Sequence, residues 1–353
     1  MKPTPLRIEP AFVTRIWGAH SLAPLFPEKS NLLEPIGEVW LTSVECHIAS
    51  GVFAGKTLGA AWAEMTSEWR GEQLATTPEF PLLIKFLFPD DKLSIQVHPG
   101  DAYAFEHEKN AGGHGKTEMW HAISAFAGAQ VLLGLKPGVD KEKFLEALKQ
   151  NKLENLFEAV SIKTSDTLFV PAGTPHSIGP KMVLCEIQQY SDITYRVYDY
   201  NRVDAHGKPR ELHIKKAVDV TRFGEPAGGR VTPLSLPADG AARSLLAACR
   251  YFATERWECS TKCTIPVDSA RFELIVILDG AGSIAWPDSA ARYHRGECWL
   301  VPASQGCIDL MPEVPTTFIR TFVPDLAGLE AELHREGISA GALAQVIFDS
   351  GNS

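Results

Sequence analysis

The chain has 353 residues, of which 45% are hydrophobic and 22% charged, and its formal net charge is −9. These values indicate a globular protein with a sizeable core and one to three domains. The acidic charge and the lack of a basic stripe argue against nucleic-acid binding. The sequence shows no membrane-length apolar run, no signal-peptide pattern and no CxxC pair among its seven cysteines. We therefore expect a cytoplasmic protein with reduced thiols and no membrane association.

The first part of the chain combines short strand-like runs with two helical stretches. Residues 56–74 place Trp62, Met65 and Trp69 three and four positions apart, which predicts an amphipathic helix or helix pair facing the core. Residues 139–157 show a second helical period among charged residues. Apolar runs bounded by Pro, Asp or Gly predict strands at 81–88, 94–99, 130–135, 161–170, 182–187 and 193–198.

The second part reads as a further set of strands. Residues 224–242 are rich in Gly, Pro and Ala and predict a linker. Short strands are predicted at 251–258, 272–278, 282–286, 297–301 and 316–322, with a helix near 326–335, a spacing typical of a sandwich or barrel. A faint repeat aligns residues 166–176 with 297–307 without a gap, and Cys307 replaces His176 in the second copy. We predict two domains, 1–240 and 241–353, the second a degenerate barrel without metal.

Two strand ends carry residues that could bind a metal. Within 94–99, strand alternation directs Gln96 and His98 to one face and the neighbouring Ile and Val side chains to the other, into a core. His176 ends a similar run at 170–176, and Glu118 lies on a segment between them that a neighbouring strand can bring close. Imidazole and carboxylate ligands suit zinc, while manganese, iron and cobalt stay open. We predict a divalent metal site built from these four residues.

Other histidines compete for this role. An isolated histidine is more often a core or surface residue than a ligand. His114 and His121 are the chief rivals because they are close in sequence to Glu118. His121 stands three residues from Glu118 and so points to the opposite face of an extended strand. This disfavours His121, while His114 stays a rival to the preferred ligand set.

Five motifs together resemble a known family. Residues 95–99, 115–118, 170–176, 186–192 and 194–199 closely resemble the class I phosphomannose isomerases, also called mannose-6-phosphate isomerases, and most of all their short bacterial branch. The resemblance covers about residues 15–223. It implies a mainly β fold of two cupin-type, jelly-roll-like barrels with helical insertions at about 56–74 and 139–157. It also implies Zn²⁺ bound by Gln96, His98, Glu118 and His176, and reversible conversion of mannose 6-phosphate to fructose 6-phosphate. The extra helical domain of the longer family members has no obvious counterpart.

The resemblance also implies catalytic residues. It matches Arg196 to the family's catalytic arginine and Glu186 and Asp192 to nearby acidic positions. Moving a proton between C1 and C2 through a cis-enediolate requires a base and a stabilising positive charge. Arg196 can provide the positive charge, because it does not lose its proton. Glu186 is a candidate proton shuttle, with an orienting role as the alternative. Lys116 shares a face with Glu118 in an extended segment and is expected to contact substrate.

Weaker candidates complete the site. Lys136 and Arg202 are candidate phosphate ligands, and Trp17 is either a pocket wall or a buried structural residue. The expected partner is a small sugar phosphate, and the chain is expected to be a monomer or a homodimer. Three alternatives remain open: a non-catalytic cupin sugar-binding or regulatory protein with structural zinc, another phosphosugar isomerase, and an iron-dependent cupin oxygenase.

Overall fold

The computed structural model describes residues 2–204, 206–224, 228–287 and 289–348. The strands are β1 Leu6–Ile8, β2 Ala11–Ala19, β3 Ile36–Trp40, β4 Leu82–Leu87, β5 Ile95–Val97, β6 Glu118–Ala125, β7 Gln130–Leu135, β8 Phe157–Ser161, β9 Thr167–Val170, β10 His176–Ile178, β11 Met182–Gln189, β12 Tyr195–Tyr198, β13 Gly229–Arg230, β14 Leu234–Leu236, β15 Ala242–Ala248, β16 Ala253–Cys259, β17 Cys263–Pro266, β18 Glu273–Trp286, β19 Ser289–His294, β20 Cys298–Val301 and β21 Cys307–Phe322. The α-helices are α1 Leu58–Glu64, α2 Ser67–Arg70, α3 Asp101–His107, α4 Lys141–Lys149, α5 Ile214–Val220, α6 Leu326–Arg335 and α7 Ala340–Leu343.

These strands form three antiparallel sheets. A seven-stranded sheet has the order β13-β9-β6-β11-β4-β3-β2, and a five-stranded sheet has the order β12-β5-β10-β7-β8. A nine-stranded sheet has the order β1-β20-β18-β21-β16-β15-β14, with β17 paired to β21 and β19 paired to β18. The prediction of a mainly β protein is confirmed. None of the helices in the described ranges is long and apolar enough to cross a bilayer.

The two predicted helical stretches are present but shorter than expected. Residues 56–74 contain the helix pair α1 and α2, and Thr57 caps α1 by accepting a hydrogen bond from the amide of Ala60 at 3.2 Å. Residues 139–157 contain α4 and then a 3₁₀ turn at Leu153–Leu156. Asp140 caps α4 by accepting a 2.8 Å hydrogen bond from the amide of Lys143. Buried Trp62 and Trp69 confirm that the first stretch faces the core.

Most predicted strands are confirmed, with shifted ends, and two regions differ in the number of strands. β7, β11 and β12 lie where strands are predicted. The predicted strand 161–170 is interrupted, because a turn with Ser165 at φ 70° separates β8 from β9. The predicted strands 272–278 and 282–286 form one strand, β18, whose pairing with β21 shifts register around Gly280. Gly280 has φ +100°, and a Cβ there would lie 2.4 Å from the hydroxyl of Thr316, so only glycine lets the strand continue.

The predicted linker at 224–242 contains two edge strands. β13 pairs with β9 of the seven-stranded sheet, and β14 pairs with β15 of the nine-stranded sheet. The first strand of the chain, β1, pairs with β20. Aromatic contacts also join the parts, since the Phe272 ring lies 5.4 Å from Trp62 and 5.3 Å from Phe80. The sheets of the two parts therefore share a core.

Candidate metal centre and active site

The site lies where the five-stranded and seven-stranded sheets of the first part face each other. On the five-stranded sheet, β5 lies between β10 and β12, which places Gln96 opposite both His176 and Arg196. On the seven-stranded sheet, Glu186 lies opposite Lys85 of β4 on one side and opposite Trp120 of β6 on the other. Strand pairing therefore brings residues that are far apart in sequence to one place.

Three of the predicted metal ligands form a compact buried group. His98, Glu118 and His176 are all buried, and one ligand atom from each lies within 4.8 Å of the others. The Glu118 carboxylate approaches His98 Nε2 at 3.6 Å and His176 Nε2 at 3.4 Å. Ile95 and Val97, which alternate with the ligand side of β5, are fully buried in a hydrophobic cluster. The alternation predicted for this strand is confirmed.

The hydrogen bonds of both histidines fix Nδ1 as the donor and leave Nε2 unprotonated on the side of Glu118. Nδ1 of His98 lies 2.8 Å from the carbonyl of Ile193, and Nδ1 of His176 lies 2.9 Å from the carbonyl of Thr174. A carbonyl only accepts, so each Nδ1 donates and each Nε2 carries a lone pair towards Glu118. Burial lowers the pKa of His98 well below its usual range and that of His176 to about 4, so both rings are neutral near pH 7.

The remaining two groups at this centre are an amide and an ammonium. The amide nitrogen of Gln96 lies 3.3 Å from His176 Nε2, and its oxygen accepts a 3.1 Å hydrogen bond from Ser94. Buried Lys116 lies 2.7 Å from Oε2 of Glu118 and donates to Nε2 of His98 at 3.3 Å. Oε1 of Glu118 is buried and has no hydrogen-bond donor within the described residues. The group is thus rich in acceptors that suit a cation.

A second charged cluster surrounds Lys85. Its ammonium is buried and lies 2.9 Å from Asp192, 3.9 Å from Glu38 and 4.0 Å from Glu186. Burial alone would lower the pKa of Lys85, but these three carboxylates raise it above its usual range. Lys85 therefore stays charged, and it links Glu38 of β3 and Glu186 of β11 to Asp192, which lies between β11 and β12.

Glu186 stands between the two lysines. Its Oε1 accepts a 3.2 Å hydrogen bond from the indole of Trp120 and lies 3.8 Å from Lys116. Burial raises the pKa of Glu186 to about 7, although Lys116 and Lys85 oppose that shift. A carboxyl group with this pKa can both accept and release a proton near neutral pH.

Glu186, the two lysines and the other two carboxylates around Lys85 line a cavity of about 380 Å³. Cationic side chains outnumber acidic ones on its wall. Its cationic residues are Arg15, Lys85, Lys116, Arg196 and Arg210, and its acidic residues are Glu38, Glu186 and Asp192. Most of these cations are paired: Arg15 binds Glu38 at 2.9 Å, and Arg210 binds Asp199 at 2.5 Å.

Arg196 differs from the other cations of the cavity. No carboxylate in the described part of the chain lies within 4 Å of it, its Nε is buried without an acceptor there, and Nη1 donates to the carbonyl of Glu211 at 3.0 Å. Burial and the nearby Arg210 lower its pKa. Arg196 therefore presents an uncompensated positive charge to the cavity.

The predicted site residues divide into two groups. The cavity is lined by Gln96, Lys116, Glu186, Asp192, Arg196 and the buried Trp17, and the three metal-type ligands lie beside it. Lys136 and Arg202 do not line it: Lys136 donates to the carbonyl of Asn155, and Arg202 binds Asp199 and Asp91. Of the rival ligands, His121 contacts the Thr167 hydroxyl and His114 is exposed beside Glu79.

Sequence reasoning missed several residues that line the cavity: Arg15, Glu38, Lys85, Ser94, Arg210 and His213. Two of them carried a usable signal. Lys85 interrupts an otherwise apolar run, Leu82–Leu87, and a lysine at the centre of a buried strand needs an acidic partner. Ser94 stands two residues before Gln96, so strand alternation places it on the same face. The other four offer no such pattern.

Comparison with known proteins places the chain in a family. A sequence model described as phosphomannose isomerase type I, catalytic domain, matches residues 6–132. The mannose-6-phosphate isomerase of Streptococcus mutans is 33% identical over 302 residues, which cover 84% of this chain and 92% of that protein. The crystal structure of the mannose 6-phosphate isomerase from Bacillus subtilis is 29% identical, with a TM-score of 0.82 over 90% of this chain and 99% of that one. A zinc-bound mannose 6-phosphate isomerase, 15% identical over 91% of this chain and all of that one, shares the fold with a TM-score of 0.70.

The fold and the site together define a mainly β protein with a buried His-Glu-His group of the kind that binds metal, beside a cationic cavity. The identity and coverage of the relatives then decide the family. The chain belongs to the type I phosphomannose isomerases.

Proposed function

We propose that this chain interconverts mannose 6-phosphate and fructose 6-phosphate through a cis-enediol(ate), with zinc bound by Gln96, His98, Glu118 and His176. The observation that carries the proposal is that Arg196, which has no ion-pair partner in the described part of the chain, lines a cavity beside a buried His-Glu-His group. Family membership supports the reaction and favours it over a sugar-binding protein without turnover or an iron oxygenase.

The donor set fits zinc. Two neutral imidazoles with unprotonated Nε2 atoms and one carboxylate are ligands that zinc prefers, and Oε1 of Glu118 lacks a hydrogen-bond donor among the described residues. The fourth ligand would be the amide oxygen of Gln96, which now accepts from Ser94. Bound there, zinc would supply Lewis-acid polarisation of a carbonyl or hydroxyl oxygen of the sugar.

The charge of the cavity suits a sugar phosphate. Five cationic and three acidic side chains line it, so a dianionic phosphate and a developing enediolate both find net positive charge. Among the described residues no carboxylate lies within 4 Å of Arg196, and its planar guanidinium can bind two oxygens at once. We assign Arg196 to the oxygen that gains negative charge in the transition state.

Glu186 is the proposed proton carrier between C1 and C2. Its raised pKa of about 7 makes the carboxylate a stronger base than an ordinary glutamate. Lys116 and Lys85 lie within 4 Å of its two oxygens and restrict the carboxylate to the space between them. Asp192 and Glu38 hold Lys85, so they act on the proton carrier indirectly.

We further propose that the sheets form two cupin-type barrels. The five-stranded and seven-stranded sheets enclose the site and make the first barrel, within 1–240. The nine-stranded sheet makes the second, within 241–353, completed by β1 and β14. This second barrel is proposed to be free of metal, with Cys307 in the place of His176.

The test is a turnover assay with a panel of phosphosugars, before and after chelation and after zinc is restored. Mannose 6-phosphate is expected to give fructose 6-phosphate, chelation to abolish the reaction and zinc to restore it. Absence of turnover in fully zinc-loaded, folded protein would contradict the proposal. Turnover restricted to another phosphosugar would keep the reaction type and change the substrate.

A further inference from the structure

Asp101 is a point of contact between the second part of the chain and the loop at 115–117, which carries Lys116 and leads into Glu118 at the start of β6. It is the first residue of α3, three positions after His98. We infer that Asp101 is a positioning residue. Through it, Arg250 and Tyr251 of the second part hold the loop at 115–117, and with it Glu118, in place. This would give the second part a role in the site although the cavity lining includes none of its described residues.

One carboxylate oxygen of Asp101 faces the site. Oδ1 accepts a hydrogen bond from the amide of Gly115 at 2.9 Å and another from the side-chain amide of Gln189 at 2.9 Å. The side-chain oxygen of Gln189 in turn accepts from the amide of Thr117 at 2.8 Å. Asp101 therefore holds Gly115 directly and Thr117 through Gln189. These two residues flank Lys116, and Thr117 directly precedes Glu118.

The other carboxylate oxygen faces the second part. Oδ2 accepts a 2.6 Å hydrogen bond from the hydroxyl of Tyr251 and a 3.2 Å charged hydrogen bond from Arg250. Burial acts to raise the pKa of Asp101, but these donors together with Gly115 and Gln189 lower it below its usual range. All four donors thus bind the ionised form.

The loop fits closely against Asp101. A Cβ on Gly115 would lie 2.7 Å from the backbone nitrogen of Asp101 and 2.9 Å from its Oδ1, so the approach requires glycine. The next amide, of Lys116, donates to the carbonyl of Pro99 at 3.0 Å. The two chain segments that carry His98 and Glu118 are therefore tied together at Asp101 and Pro99.

The expected consequence is a change in zinc affinity rather than in folding alone. An asparagine at 101 has a single acceptor oxygen, so it cannot satisfy the donors on both sides at once. Loss of partners that orient ligands typically weakens metal binding by about 10–100-fold. The inference rests on the zinc site of the proposed function; the expected effect on kcat also requires the proposed reaction, whereas the effect on zinc affinity can be measured without turnover.

The experiment compares Asp101→Asn and Tyr251→Phe with Arg7→Gln in the full-length chain. Arg7→Gln is the matched control because it removes a 3.0 Å ion pair, to Glu297, between partly exposed groups away from the cavity. Zinc dissociation constants are measured by competition with a chromogenic chelator, and kcat and KM with mannose 6-phosphate. Near-ultraviolet circular dichroism and the melting temperature of the metal-free proteins report on folding.

Both test variants are expected to raise the zinc dissociation constant, Asp101→Asn by about 10-fold or more and Tyr251→Phe by less, and to lower kcat more than they raise KM. Arg7→Gln is expected to match the unaltered protein. The inference is overturned if the test variants lower only the melting temperature. If Asp101→Asn does not fold, Tyr251→Phe decides alone. If the unaltered protein lacks turnover, the proposed function fails while the zinc titration still decides the inference.

Discussion

At the scale of single residues, Arg196 is expected to separate turnover from metal binding. Its guanidinium lines the cavity, has no carboxylate within 4 Å in the described part of the chain, and is not one of the three His-Glu-His ligands. Arg196→Ala should lower kcat/KM by about 10²–10³-fold, the usual effect of removing one group that stabilises a developing oxyanion. Zinc content, measured by atomic emission, should equal that of the unaltered protein, whereas His98→Ala should lose the metal. Arg292→Ala, which removes an exposed arginine paired to Glu313, is the control. A fully active Arg196→Ala enzyme would rule out the assigned role.

Glu186 should set the acidic limb of the pH profile. Burial raises its pKa to about 7, so the carboxylate needed as a base is lost as the pH falls through that value. We expect kcat/KM to fall tenfold per pH unit below about 6, and Glu186→Gln to reduce turnover by about 10²–10⁴-fold with zinc retained.

Glu186→Gln is expected to reduce turnover but not to reduce the free energy of unfolding at alkaline pH. An acid with a raised pKa binds more protons folded than unfolded, so stability decreases as the pH rises between its two pKa values. Glu186→Gln should therefore unfold no more easily than the unaltered protein at pH 8, as measured with urea. A variant that keeps both full activity and the acidic limb would leave Glu186 an orienting role only.

At the scale of elements, β5 shows why part of the site could be predicted from sequence. Alternation along one strand is a local property, so Gln96 and His98 on one face and Ile95 and Val97 on the other follow from four consecutive residues. The Lys85 cluster depends instead on the register among β3, β4 and β11, which no local pattern contains. The pairing of β1 with β20 joins residues nearly 300 positions apart and was missed for the same reason.

The division of β5 into a chemical face and a packing face makes a prediction of its own. Ile95 is fully buried and lies in the hydrophobic cluster behind the strand. Ile95→Ala should lower the free energy of unfolding by about 2–5 kcal/mol, and Ile95→Val by about 0.5–1.5 kcal/mol, with zinc affinity nearly unchanged for the valine variant. Urea unfolding measures the first and chelator competition the second. Phe105→Ala removes a 69% exposed side chain and serves as the control. Loss of zinc binding in Ile95→Val would show that the two faces are not independent.

At the scale of the whole molecule, the two parts are joined by packing as well as by Asp101. One hydrophobic cluster contains residues of both parts, including Trp62, Phe80 and Phe272. The backbone amide of Phe272 also donates to the carbonyl of Arg70 at 3.0 Å. A contact surface of this kind makes separate unfolding costly, since either part alone would expose these rings to water.

We therefore expect the chain to unfold as one cooperative unit, and Phe272→Ala to destabilise both parts together. The substitution should cost about 3–5 kcal/mol, because it removes a buried aromatic side chain from a packed cluster. Hydrogen exchange followed by mass spectrometry should show the loss of protection in β6, beside the metal centre, as well as in β18, which follows Phe272. Zinc at about 100 times its dissociation constant should add about 2.7 kcal/mol to the stability of the whole unit. Phe126→Ala, at a 63% exposed position, controls for loss of an aromatic ring without burial. Exchange that increases in β18 while β6 keeps its protection, or a zinc effect confined to the first part, would show instead that the two parts unfold separately.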